Sequence, residues 1–369
     1  CLSMRGPLPD YPWDAMAPFS ARAALHPGGK IDLSIGSPID PSPDSVRRAL
    51  ADATGAHAHP APAGSPRLRE ASAAWYLRRR GVTVAPEATL PTVGSKELVA
   101  LLPFLLGLGA GDTVVHPVIA YPSYAMGAAL AGATALASDD PAEWPDSTKL
   151  VWINSPGNPD GRVLDVDALR AAVARARELG AVIAGDECYA EFGWDEPWAS
   201  APIPSILDPR VVGDDHTDVL GVYSLSKQSN LAGYRAAFIA GDPVLIERLL
   251  TVRKHAGLML PAPVQAATIA ALGDETHVAE QRERYRARRG ILRPALEAAG
   301  YRIDASEAGL YLWVTRGVDA WEDVARFADL GIVVGPGTFY GNGSPQHVRL
   351  STTATDAHIA EAARRISGE

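Results

Sequence analysis

KLVWINSPGNPDGRVLDVDALRAAVARARELGAVIAGDECY, residues 149–189, opens with a short apolar run, LVWIN, and closes near another, AVIAGD. Between them, VDALRAAVARARELG spaces its apolar residues three and four apart, the period of a helix with one buried face. A strand buried on both faces reads as a continuous apolar run, so strand, helix and strand in this order predict a βαβ unit. The alternation extends over about 90–241 through DTVVHP, YPSYAMGAALAGA, VLGVYSLS and RAAFIAG. The expected fold class is α/β, with a mainly parallel sheet covered by helices on both sides.

Beyond residue 242 the texture changes. A long charged helical stretch, THVAEQRERYRARRGILRPALEAAG (276–300), is followed by the short strand patterns GLYLWVT, GIVVGPG and HVRLST. Helix followed by short strands predicts a second, smaller α+β domain. The expected division is an N-terminal segment, 1–45, contributing to the small domain, a large domain over 46–250, and the small domain over 251–369. The proline-rich GSPIDPSPDS (36–45) is expected to be irregular, and GWDEPWASAPIPSILDPRVVGDDHT (193–217) to be a long loop.

The bulk composition bounds the function. With 369 residues, 47% of them hydrophobic, the chain can bury more than one domain's core. Its formal net charge of −9 argues against gripping phosphate backbones, so no nucleic-acid partner is expected. Cys1 and Cys188 allow at most one bridge, which fits a reducing compartment and a cytoplasmic location. LVALLPFLLGLGAG (98–111) falls short of the roughly 20 residues that cross a bilayer and reads as a buried helix. The opening CLSMRGPLPDYPWD lacks the basic-then-apolar pattern of a secretory signal. No membrane partner is expected.

Three predicted strands run into polar residues: LVWIN into Asn154–Asn158, AVIAGD into Asp186, and VLGVYSLS into Lys227. The carboxyl ends of parallel strands line the crevice where ligands bind, so an amide, a carboxylate and an amine converge there. Taken singly, each has a blander reading as a cap or turn residue. Lys227 is one of five lysines in a chain with 29 arginines. Lysine can shed its proton and attack a carbonyl, whereas arginine stays charged. An amine beside two serines, with Arg235 downstream and a helix start at VGSKE (93–97), suggests a phosphorylated aldehyde held as a Schiff base.

SLSKQSNLAGYR (224–235), with SPGNPDG (155–161), DECY (186–189), GSKE (94–97) and HVRLS (347–351), resembles the class I/II aminotransferases of the fold-type I, pyridoxal-phosphate-dependent superfamily. The ordered motifs span about residues 30–355. The resemblance implies pyridoxal 5'-phosphate as cofactor, Lys227 as the covalent lysine and proton shuttle, and Asp186 paired with the pyridine nitrogen. It implies Tyr189 and Asn158 on the ring oxygen, Tyr121 stacked on the ring, and a phosphate cup of Ser95, Lys96, Ser224, Ser226 and Arg235. Which of the two serines donates stays open. Arg349, the Gly36 backbone and Asn158 are implied for the substrate α-carboxylate.

Two positions depart from the family pattern. In HPAPAG, His59 stands where many relatives carry a tyrosine that reaches the neighbouring subunit's phosphate, and NPDG has Asp160 where threonine is usual. The resemblance also implies a homodimer. VRKHAGLMLPAPVQAA (252–267), SLSKQSNLAGYR and AGLYLWVT resemble the N-succinyldiaminopimelate aminotransferases of lysine biosynthesis more than aspartate or aromatic enzymes. That resemblance implies glutamate and 2-oxoglutarate as one substrate pair, and N-succinyl-2-amino-6-oxopimelate as the acceptor. Lys96, Lys254 and His255 are candidates for the acceptor's distal acidic end. Other amino-acid aminotransferases and carbon–sulfur lyases of the same scaffold remain alternatives. Ser224 to Lys227 also matches the S-x-x-K of penicillin-binding proteins, but the K-T-G those enzymes need is absent. No H-E-x-x-H, paired C-x-x-C or P-loop is present, so no metal site is expected.

Overall fold

In the computed structural model, which describes residues 12–368, short strands recur from Ile31 to Ser351. They are β1 (Ile31–Asp32), β2 (Thr89–Val93), β3 (Thr113–His116), β4 (Thr134–Ala137), β5 (Thr148–Asn154), β6 (Val182–Asp186), β7 (Val219–Ser224) and β8 (Ala236–Gly241). After these come β9 (Arg302–Ile303), β10 (Tyr311–Thr315), β11 (Ile332–Val333), β12 (Gly335–Pro336) and β13 (His347–Ser351). A seven-stranded sheet takes the order β2-β8-β7-β6-β5-β3-β4. All its neighbours are parallel except β8, which runs antiparallel to β2 and β7.

Alternation within each strand feeds two cores. On β5, Val151 and Ile153 face one cluster while Leu150 and Trp152 face another, which is why LVWIN carries no polar residue before its end. The first face is covered in part by the helix Val166–Glu178, which buries Leu169, Ala172, Val173 and Ala176. Its N-terminus is capped by Asp165, whose side chain accepts from the Ala168 N–H at 2.8 Å. The opposite face receives the helices Ser95–Leu105, Ser123–Ala131 and Pro243–Ala256.

The four-stranded antiparallel sheet β12-β13-β10-β9 and the parallel pair β1-β11 build a separate core with residues 16–33 and the C-terminal helices. The helix Ala262–Gly273 packs instead into the large-sheet core through Val264, Ala267, Ala271 and Leu272. Residues 36–43 are irregular, as the prolines predict, yet they are held firmly. Asp40 receives two hydrogen bonds from the buried Arg288 guanidinium, at 2.7 and 2.8 Å, and one from Gln281 at 2.9 Å. This anchors the segment that carries Gly36.

The 193–217 loop has a structural use. Ser205 Oγ and the Ile206 N–H both donate to Glu187, at 2.8 and 2.6 Å, and Glu187 also pairs with the buried Arg80 at 3.2 Å. Trp194 donates to the Gly309 carbonyl at 2.6 Å.

Candidate active site

Adjacent registers bring the polar strand ends together. Asn154 pairs with Asp186 across β5 and β6, and Asp186 with Val222 across β6 and β7, so the segment leading to Ser224 lies alongside. Asn154 is spent on the backbone: its Nδ2 donates to the Asp186 carbonyl at 3.0 Å, and its Oδ1 accepts from the Asn158 N–H at 2.8 Å. This holds the SPGNP turn against β6. A cavity of about 440 Å³ opens at these ends, and its ionisable lining includes Lys96, Asp186, Lys227, Arg235 and Arg349.

Lys227 sits on the one-turn helix Leu225–Gln228, and its Nζ donates to the Gly36 carbonyl. Burial lowers its pKa, the nearby Arg349 and Arg235 add to that, and Tyr311 and Cys188 partly oppose it. The consequence is an amine readily made neutral and nucleophilic.

Asp186 Oδ2 accepts from Tyr124 at 2.8 Å, and Oδ1 takes a longer contact from the Cys188 N–H at 3.4 Å. Burial raises this carboxyl, against the lowering effect of those donors. Among the described residues it forms no ion pair, so a cation supplied from within the cavity would offset its desolvation.

Another part of the cavity lining suits an anion. The helix Ser95–Leu105 starts there, preceded by Gly94 at φ +77, with its first N–H groups lacking intrahelical partners. A Cβ on Gly94 would lie 2.1 Å from the Arg235 guanidinium, so only glycine lets that side chain lie against the helix start. Ser224 Oγ accepts from the Ser226 N–H at 3.1 Å and donates to Ser226 Oγ at 2.8 Å. Its donor is therefore used within the protein, while the Ser226 hydroxyl keeps its own.

Glu97, in the first helical turn, is held by the buried Arg253 through bonds of 2.7 and 3.0 Å and accepts from the Val93 N–H at 3.1 Å. Breaking this pair leaves a poorly solvated carboxylate at the helix start. Arg253→Ala is expected to cost about 3–5 kcal/mol in thermal or urea unfolding. Replacing both partners by apolar residues should recover most of that loss.

Arg349, on β13, lies fully buried between two aromatic rings, with its guanidinium 4.0 Å from the Tyr311 ring centre and 4.9 Å from that of Tyr340. It donates to Asn158 Oδ1 at 2.8 Å and to the Ser34 carbonyl at 2.5 Å, while its Nε has no partner. An unpaired buried N–H on a cavity-lining guanidinium suits a carboxylate.

Most residues expected from the sequence meet in this cavity: Ser95, Lys96, Tyr121, Asn158, Asp186, Tyr189, Ser224, Ser226, Lys227, Arg235, Arg349 and Gly36. Lys96 Nζ donates to the Tyr121 hydroxyl at 2.9 Å. His59 is exposed and outside the cavity of its own chain. Lys254 and His255, at the exposed end of Pro243–Ala256, do not line it either. Sequence reasoning missed Tyr124, Cys188, Tyr311 and Trp13. The signal for Tyr124 was its place three residues after Tyr121 in YPSY, at the start of the helix that follows β3.

A carboxylate without a counter-charge, an anion-binding helix start and a depressed amine lining one cavity fit pyridoxal 5'-phosphate. Asp186 would meet its pyridine nitrogen. Ser95, Ser226 and Arg235 would meet its phosphate, and Lys227 its aldehyde.

The sequence pattern of the family described as aminotransferase class I and II matches residues 28–366. The 4-dedimethylamino-4-oxo-anhydrotetracycline transaminase OxyQ of Streptomyces rimosus is 55% identical over 98% of this chain and 99% of its own length. The probable aminotransferase Rv1178 of Mycobacterium tuberculosis is 51% identical, over 98% of this chain and 85% of its own. The structure of N-succinyldiaminopimelate aminotransferase from Mycobacterium tuberculosis superposes with a TM-score of 0.86, at 25% identity, covering 98% of each chain. With the motif order, the mostly parallel sheet and the composite cavity in agreement, the chain belongs to the class I and II aminotransferases, transaminases of small amino and oxo acids that are in general dependent on pyridoxal phosphate.

Proposed function

We propose that this transaminase draws its amino group from glutamate, leaving 2-oxoglutarate, and passes it to N-succinyl-2-amino-6-oxopimelate in diaminopimelate and lysine synthesis. The observation that carries the transamination chemistry is the convergence of Lys227, Asp186 and Arg349 on one cavity. Pyridoxal 5'-phosphate, when bound, supplies an aldehyde for the substrate nitrogen and a ring that accepts the electrons of the Cα–H bond. Arg349 receives the α-carboxylate and so orients the Cα–H toward Lys227. With the cofactor bound, Lys227 would hold its aldehyde, and the neutral Nζ would take and return the substrate's Cα proton. Asp186 stabilises positive charge at the ring nitrogen. Asn158 and Tyr189 serve the ring oxygen, Tyr121 the ring face, and Ser95, Lys96, Ser226 and Arg235 the phosphate. Ser224 supports Ser226. In a homodimer, His59 is assigned to the neighbouring subunit's phosphate. The domain division belongs to this proposal, with the N-terminal segment joined to the small domain by the pairing of β1 with β11 and the second boundary moved from about 250 to beyond Gly273, because Ala262–Gly273 packs into the large-sheet core.

A second reading for the acceptor, a ring ketone, is favoured by the 55% identity to a transaminase named for such a substrate. The apolar side of the cavity, with Trp13, Ile35 and Tyr121, suits it. Initial rates with glutamate and a panel of acceptors separate the two. The first reading expects the succinylated acceptor to exceed oxaloacetate and pyruvate by at least about tenfold in kcat/KM. Equal rates on the small acids sink that acceptor, and a faster polycyclic ketone establishes the second. Parallel double-reciprocal lines are expected throughout, as for any exchange in which the first product leaves before the second substrate binds.

A further inference from the structure

The mechanism above uses Lys227, Tyr189 and Arg349 but leaves unassigned the buried group that touches the surroundings of all three. Tyr311, on β10, lies 4.0 Å beneath the Arg349 guanidinium and forms a 3.3 Å hydroxyl pair with Tyr189. Its oxygen rests so close to Gly36 that a Cβ there would lie 2.0 Å away. The Gly36 carbonyl is the acceptor for the Lys227 amine. One phenol therefore meets the substrate-binding arginine with its ring and, with its hydroxyl, the backbone that holds the lysine.

We infer that Tyr311 is a positioning residue for the transamination: its hydroxyl orients Tyr189 and the Lys227–Gly36 contact, and its ring seats Arg349. This rests on the reading of Lys227 as the reactive amine. The charged and titratable groups facing Lys227 are Tyr311 from β10, Arg349 from β13, Cys188 from beyond β6 and Arg235 from before β8. Burial and the two arginines drive its proton off, while Tyr311 and Cys188 retain it. Burial pushes the Tyr311 hydroxyl up, but Arg349 and Lys227 outweigh that and hold it below the usual tyrosine value. Removing the hydroxyl thus removes a group that retains the lysine's proton. To the extent that the Tyr311 anion holds that proton, its loss moves the Lys227 titration to lower pH.

The two functions of Tyr311 separate by substitution. Tyr311→Phe keeps the ring and removes the hydroxyl, while Tyr311→Leu removes both. Cofactor-free protein is methylated with formaldehyde and cyanoborohydride across a pH series, and the Lys227 peptide is followed by mass spectrometry. In Tyr311→Phe the half-labelling pH should move to lower pH than in the wild type. With cofactor restored, kcat should fall about tenfold with KM for glutamate nearly unchanged, whereas Tyr311→Leu should also raise that KM about tenfold. An unchanged labelling curve in Tyr311→Phe, or an equal KM increase in both variants, overturns the inference. Should Tyr311→Phe fail to fold, Tyr189→Phe removes the other end of the hydroxyl pair and must shift the labelling in the same direction; no shift there also overturns it. Because labelling needs neither cofactor nor acceptor, its outcome is independent of which oxo acid is the substrate.

Discussion

Lys227→Ala is expected to lower kcat/KM for transamination by about 10⁴-fold, the upper end of what a positioned proton-transfer group contributes. That corresponds to about 5 kcal/mol of transition-state stabilisation. The expectation follows from the lysine's setting: the amine that donates to the Gly36 carbonyl within the cavity is buried, and its pKa is lowered by that burial and by two arginines. Lys227→Arg should not restore activity, because a guanidinium neither loses its proton nor forms the covalent link. Two measurements check it. Steady-state rates give the loss, and borohydride reduction of protein saturated with pyridoxal 5'-phosphate should add mass to the Lys227 peptide of the wild type alone. A variant keeping more than about one part in a hundred of the rate would remove Lys227 from the proton path.

Asp186→Asn is expected to lower kcat by about 10³-fold, the scale of losing a preorganised electrostatic partner, while much of the cofactor is retained. It should also stabilise the cofactor-free protein at neutral pH. Burial raises the Asp186 pKa above its ordinary 3.8, so the folded state prefers the protonated carboxyl. Below the unfolded value the group is neutral in both states and costs nothing. As pH rises toward and through the folded value, the unfolded chain ionises more readily, and stability falls to a plateau above it. Asparagine removes that charge penalty while keeping an acceptor for Tyr124. Differential scanning of the cofactor-free forms at neutral pH should therefore show a higher midpoint for Asp186→Asn, with the difference shrinking in acid. A lower midpoint at neutral pH would mean that the carboxylate is already compensated within the chain.

The Arg349 environment shows how closely stability and chemistry are joined here. Its charge is held by Asn158, the Ser34 carbonyl and two aromatic rings, so the side chain is ordered by the protein alone. Such preorganisation avoids spending binding energy on ordering a long side chain.

Local pattern determined a great deal. Continuous apolar runs specify strands buried on both faces, and the three- and four-residue spacing in 166–178 specifies the helix between two of them. Strand ends in such a sheet share one edge, so Asp186, the asparagine turn and Lys227 are legible as one site in the sequence alone. The antiparallel direction of β8 was not, because an apolar run reads the same in either direction and only pairing with β2 and β7 sets its sense. Lys254 and His255 illustrate the same limit: a basic cluster has no direction in a sequence, and the end of Pro243–Ala256 carries it to the surface, outside the cavity. Tyr124, Tyr311 and Trp13 escaped notice because their neighbours there are remote in sequence. Tyr124 reaches Asp186 across 62 positions and Tyr311 reaches Tyr189 across 122. Periodicity reports which face of an element is buried; which distant atom waits on that face is decided only when the elements pack.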